Sequence, residues 1–258
     1  MSDNSTPLQN EMEESMKKIH SESFDDWVQN FATNLENIWV EPSAKCLEPD
    51  ENQEKKNNLA VVIGRGPSIK KHGHLELLAQ SDYNGTIICT DGSLINALKA
   101  GITPEKFPKF YVVTIDPYEI IAKHFDDPIV KKFGPKINGA FSIITHPKVV
   151  GLARDAGIKI HWLHTLFDYN EGKKSFNHIS SIMVRAKNHV NGLPAIQTGG
   201  NVGTSSWFVA WRILKNNTIA LIGINHGWEG QDVSEMISAH EKRLGSGVEI
   251  IKEEDPKY

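Results

Sequence analysis

From residue 59 onward, short aliphatic and β-branched runs alternate with stretches of helical spacing. The runs are LAVVI at 59, TIICT at 86, YVVTI at 111, FSIIT at 141, IKIHWL at 158 and IALIGI at 219. Most are apolar on both faces, the pattern of strands covered on both sides in a parallel sheet. Helix punctuation lies between them, with Asp91-Gly92 before SLINALKAG and Pro147 before KVVGLARDAG. Strands alternating with helices predict an α/β fold with a Rossmann-like, doubly wound, mostly parallel sheet. Residues 59–63, 86–90, 111–115 and 219–224 are expected to be neighbouring strands.

The chain before residue 59 has a different period. Residues 1–20 are polar and expected to be mobile. Phe24, Trp27, Val28, Phe31, Leu35, Ile38 and Trp39 then recur at spacings of three and four, one apolar helix face. Ser23 is the expected N-cap, with Asp26 in the first turn and Pro42 as the stop. This helix reads as a prop packed on the core, as a dimer contact or as a family-specific subdomain. Residues 43–58, with Pro49 and many charges, read as a linker. Residues 165–198 interrupt the alternation with a helix expected to turn Phe176, Ile179, Met183, Ala186 and Val190 to one side. That insertion fits a lid over the strand ends or ordinary packing. The expected organisation is an acidic helical segment and linker over 1–57, a nucleotide-binding catalytic domain over 58–230, and a C-terminal helix and tail over 231–258. VEIIKEEDPKY at the end reads as the start of a further strand.

Charge sharpens this division. Residues 1–56 carry 13 acidic and 5 basic residues, whereas residues 57–258 carry 19 acidic and 23 basic. The slightly basic core suits a phosphorylated small molecule and lacks the clustered Lys and Arg of a nucleic-acid footprint. Cys46 and Cys89 give no disulfide framework and no CxxC site. The first residues lack a signal-peptide pattern, and no apolar run approaches the ~20 residues of a membrane helix. The expectation is a reduced, cytoplasmic protein without nucleic-acid or membrane partners, with a homodimer as one option.

Ligands of open α/β sheets sit at the carboxyl ends of the strands, so the residues after each run are the candidates. After the first come Gly64, Arg65, Gly66, Pro67 and Ser68; then Asp91-Gly92-Ser93, Asp116-Pro117, His146-Pro147, His161 with His164, and Asn225-His226-Gly227-Trp228. GRGPS is neither a dinucleotide fingerprint, since Ile69 stands where the third glycine belongs, nor a Walker A loop. Its parts nevertheless suit phosphate: two glycines permit close backbone approach, Pro67 fits a first helical position, and Ser68 adds a hydroxyl. A plain tight turn is the other reading. A second loop repeats the logic, with Gly199, Gly200, Asn201, Gly203, Thr204 and Ser205 opening a nearly all-apolar helix. Its small residues also fit simple close packing. Asp91 and Asp116 end different strands and are the best carboxylates for Mg²⁺, which commonly takes one or two carboxylates plus substrate phosphates. Each also fits a local turn or cap. His161 and His164 form no HExxH, and no GxSxG elbow occurs.

The ordered set GRGPS, TDGSLINALKAGITPEKF, YVVTIDP, a later His-Pro, TGGNVGTSSWFVAWRI and LIGINHG resembles the archaeal 6-hydroxymethylpterin pyrophosphokinase, or MptE-like, family over roughly residues 58–228. That group also resembles flagellin-modification glycosyltransferase-like proteins and, more distantly, the sialyltransferase fold. The resemblance implies Mg²⁺-dependent diphosphoryl transfer from ATP to the hydroxymethyl group of a dihydropterin. It places Gly64, Arg65, Gly66, Pro67 and Ser68 in a first nucleotide loop. Gly199, Gly200, Asn201 and Thr204 fall in a second loop, and Asp91 and Asp116 at the metal end, with His146 as a further catalytic candidate. Relatives often carry Asp where this chain has Asn225, which keeps a carbonyl oxygen but loses the charge. The other classes of function left open are a nucleotide-sugar glycosyltransferase, with His146 or His226 as base, and a nucleotide-binding module without turnover.

Overall fold

The computed structural model describes residues 7–50, 58–166, 175–187, 189, 191–197 and 200–225, with side chains from residue 23 on. Expectations for His226, Gly227, Trp228, Gly199, the tail over 231–258 and its closing strand lie outside the described residues.

Among the described residues seven strands form one sheet: β1 (Leu59–Ile63), β2 (Thr86–Thr90), β3 (Phe110–Thr114), β4 (Asn138–Ser142), β5 (Lys159–Leu166), β6 (Ala195–Gln197) and β7 (Thr218–Ile222). Their order is β6-β5-β4-β3-β2-β1-β7, and every pair is parallel. The four expected neighbours are therefore contiguous. The run expected at 141–145 is displaced: the strand is Asn138–Ser142, and the chain turns where Thr145 N–H donates to Ser142 O at 3.0 Å. The apolar Ile143 and Ile144 are buried in this turn, where Ile143 N–H still donates to Leu163 O of β5 at 3.1 Å. β6 escapes the periodicity because three residues are too short to show one.

Helices cover both faces, because side chains alternate along each strand. On one face Val61, Ile63, Ile87, Cys89, Phe110, Val112, Phe141 and Trp162 pack beneath α1 (Pro7–Val40), α2 (Ser68–His72), α3 (His74–Gln80), α4 (Leu94–Lys99), α5 (Pro128–Phe133), α6 (Pro147–Asp155) and α7 (Phe176–Arg185). On the other, Ala60, Val62, Ile88, Val113, Ala140 and Leu163 meet α8 (Val202–Phe208) and the π-helical turn Val209–Ile213 that continues it. The chain reaches β2 to β6 through helices on the first face. It returns along α8, which crosses β1, β2 and β3 on the second face, and enters β7 beside β1. The winding reverses at β1, and this is the switch point where such sheets bind ligands.

The N-terminal helix begins at Pro7, so Ser23 lies buried within it rather than capping it. Glu, Met and Lys between residues 11 and 18 are good helix formers and extend the helix without an apolar face. The helix fastens the site's loops from behind. Asn30 Nδ2 donates to Pro117 O at 2.9 Å and Ile144 O at 3.1 Å, and Asn34 Nδ2 donates to Thr145 O at 2.7 Å. Asn30→Ala leaves two buried carbonyls unpaired, a loss of about 1–3 kcal/mol. Urea denaturation is expected to show a lower midpoint at unchanged slope, and an unchanged midpoint would mean that water replaces the amide.

The stretch from Ser43, read as a linker, is docked. Trp162 N–H donates to Pro42 O at 2.9 Å, and Ala44–Leu47 form a 3-10 turn with Ala44 fully buried. α7 packs on α1, where Phe176 meets Phe24 and Phe31 edge-on at 5.6 Å. Its buried residues are Ser180 and Val184, while Ile179 and Met183 are exposed. The expected face was misplaced because Ser180, although polar, is held inside by His164 Nε2 at 2.8 Å. Among the described residues no helix is long and apolar enough to cross a membrane.

Candidate active site

A pocket of about 300 Å³ opens at the carboxyl ends of β1, β2, β3 and β7. Its walls are the Gly64–Pro67 loop, the Thr90–Gly92 turn, Asp116, His124, Asn201–Gly203 at the start of α8, and Gly223-Ile224.

The glycines of the first loop serve packing. Gly64 N–H donates to Ile222 O and Gly66 N–H to Gly223 O, each at 2.8 Å. A Cβ on Gly64 would collide with Gly223 O, and one on Gly66 with Asn225 Oδ1. Gly223 itself needs a left-handed backbone, φ +66. The chain breaks into Gly-Arg-Gly because β1 and β7 run out of the sheet together with backbones nearly touching. These two amides are committed within the protein, so they are not the phosphate cradle the sequence suggested. Pro67 is the N-cap residue of α2 rather than its first helical residue. Ser68 Oγ donates to Asn225 Oδ1 at 3.1 Å, and neither lines the pocket. Asn225 thus ties the β7 end to the β1 loop, a task an amide performs without a charge.

The second loop reaches the same pocket, although β6 and β1 have four strands between them. The two loops meet because α8 crosses the sheet over β3, β2 and β1 and carries its N-terminus to the pocket. Asn201 caps it, accepting from Thr204 N–H at 2.9 Å and donating to Thr204 Oγ1 at 2.9 Å. Asn201 and Gly203 line the pocket; Gly200 and Thr204 stand behind them.

Asp91 and Asp116 do come together. Asp91 is buried and accepts from Gly92 N–H at 2.6 Å and from Thr114 Oγ1 at 2.7 Å. Burial pushes its carboxyl up to about 6, against those hydrogen bonds and the charge of Arg65. Asp116 stands half-buried at the pocket wall. Burial, with the charge of Asp91, pushes it up to about 7. Asp91 raises the pKa of Asp116, and a cation between the two would relieve that repulsion. Among the described residues no third His, Cys, Asp or Glu joins them. A divalent ion here would be held by Asp91 and Asp116 together with oxygens from a phosphorylated ligand.

The pair makes stability pH-dependent. Between pH ~4 and ~7 the folded state retains protons that the unfolded chain has released, so stability falls as pH rises through that window. A divalent ion held here would need the deprotonated pair, so on that reading Mg²⁺ is expected to raise Tm at pH 8 and to leave it unchanged at pH 5. Melting curves of the unmodified protein and Asp116→Asn check this. Equal Mg²⁺ effects at both pH values would dissociate the pair from the metal.

His146 does not line the pocket. Its Nδ1 accepts from Lys148 N–H at 3.2 Å as the cap of α6, since β4 lies one strand beyond the walls. His161 and His164 are built into β5, on Lys159 O at 2.9 Å and Ser180 Oγ. Among the described histidines, the one that lines the pocket is His124, brought back by the Glu119–His124 3-10 turn after β3. No motif in the sequence marks it, nor Thr114, whose hydroxyl reaches Asp91 from the neighbouring strand.

The switch-point pocket and its paired carboxylates define a doubly wound α/β protein with an acidic ligand site. The chain belongs to the family described as 6-hydroxymethylpterin diphosphokinase MptE-like, which matches residues 29–231, and the activity named there is a transferase's. No curated protein matches it. Among solved structures, the MAf glycosyltransferase from Magnetospirillum magneticum AMB-1 is similar over 67% of this chain and 24% of that one, at 16% identity and a TM-score of 0.43. The chain spans about a quarter of that structure's length, and a likeness at this level says nothing about chemistry.

Proposed function

We propose that this chain transfers diphosphate from ATP to the hydroxymethyl group of 6-hydroxymethyl-7,8-dihydropterin. The observation that carries the reading is the pair Asp91 and Asp116 at adjacent strand ends, facing the Gly64–Pro67 loop across one pocket. Phosphoryl transfer asks the protein mainly for positioning and charge neutralisation. The acceptor oxygen bonds to the β-phosphorus, the bond from that phosphorus to the α-phosphate's bridging oxygen breaks, and AMP leaves. The hydroxyl proton passes to a base, and His124 is the imidazole on the pocket wall. Asp91, oriented by Thr114 and Gly92, and Asp116 would hold Mg²⁺, which supplies charge neutralisation on the phosphate oxygens. Arg65 adds a positive charge on the same side.

Purified protein with ATP, Mg²⁺ and the dihydropterin is expected to release AMP and form the pterin diphosphate. Failure with every divalent metal, together with cleavage of a nucleotide sugar, would replace this reading with a glycosyltransferase. Nucleotide binding without turnover of either would leave a regulatory module.

A further inference from the structure

The Gly64–Pro67 loop has a second side. There a pocket of about 450 Å³ lies between the α2–α3 corner and α4, larger than the acidic pocket and sharing Gly64, Arg65, Gly66 and Pro67 with it. We propose that this pocket takes the acceptor heterocycle, gripped by a 2-amino-4-oxopyrimidine edge through Glu76 and Asn96.

Size and position come first. The volume suits a bicyclic ring, within the range of small-molecule sites. Arg65 lies on the boundary, its Cδ 3.0 Å from where a Cβ on Gly92 would stand. A ring seated here carries its substituent toward the acidic pocket around one side chain.

The lining chemistry selects the ligand. Ile69 and Leu75 belong to the buried core and contribute only a small aliphatic patch to the pocket floor. The polar rim has Glu76, Asn96, Lys70 and Lys99. Lys99 is held by Asp127 at 2.9 Å, and the Ser93 hydroxyl donates to Ile63 O at 2.6 Å. Lys70 carries donors only, so recognition of a ring's N–H donors falls to Glu76 and Asn96. A carboxylate accepts only, so it matches two adjacent N–H donors, the 2-amino group and N3–H. The amide serves the neighbouring carbonyl. Adenine offers no such pair of donors, whereas pterins and guanine share it. Choosing the acceptor over a guanine base rests on the diphosphotransferase reading.

The test is binding without ATP or metal. 6-Hydroxymethylpterin, followed by its own fluorescence, is titrated into the unmodified protein and into Glu76→Gln, with GMP as the second probe. The expected result is pterin binding weakened at least about tenfold by Glu76→Gln, the size of one lost charge-assisted contact, with GMP binding more weakly than the pterin. Unchanged pterin affinity in Glu76→Gln overturns the subsite, as does GMP binding in preference to the pterin. The two readings fail separately. Glu76-dependent pterin binding without AMP release retires the diphosphotransferase and keeps the subsite. AMP release at unchanged KM for the pterin in Glu76→Gln does the reverse.

Discussion

Asp116→Asn is expected to lower AMP release at least ~100-fold while the protein stays folded. Asparagine keeps the shape and one carbonyl oxygen but removes the charge. If the pair holds a cation against the transferring phosphates, removing one charge lifts the transition state by several kcal/mol. The fold does not need that charge, because burial and Asp91 already hold Asp116 near 7, and neutralising it relieves repulsion. Thermal stability at pH 8 without metal should therefore equal or exceed that of the unmodified protein. Near-normal turnover would remove the metal assignment, and loss of the folded signal would show that Asp116 is structural.

Gly64→Ala is expected to cost about 3 kcal/mol, the upper range for forcing a group into a packed interior. The new methyl meets Gly223 O and Ile224 Cδ1, and the carbonyl cannot swing aside as a side-chain tip would. It also parts two walls of the acidic pocket, so turnover should fall with stability. Gly151→Ala is the control, since nothing stands within 4 Å of its Cβ position. It should leave turnover unchanged and, as alanine in a helix interior, raise stability by up to about 1 kcal/mol. A Gly64→Ala protein with an unchanged denaturation midpoint would mean that the β7 loop yields, and the glycine would then have to be explained by ligand approach.

The sequence by itself determined the architecture. Apolar runs at 59, 86 and 111, hydrophobic on both faces, call for cover on both sides, and a sheet between helix layers provides it; the run at 219 became the edge strand β7, where Ala220 and Leu221 are exposed. The sequence also placed Asp91 and Asp116 at strand ends, because a polar residue that closes an apolar run marks where the strand leaves the core. Tertiary structure alone decided how those ends combine. The path of α8 across the sheet brings Asn201 over β1, and no local pattern encodes a crossover's landing point. The pairing of β1 with β7, 159 residues apart at Leu59 and Thr218, turned the Gly64 and Gly66 amides inward and made the loop a wall. Strand order left His146, after β4, as a helix cap outside the pocket, and the turn after β3 brought His124 to its wall. Local spacing reports which face a residue shares with its neighbours. Which loops meet depends on strand order, fixed by packing between segments far apart in the chain.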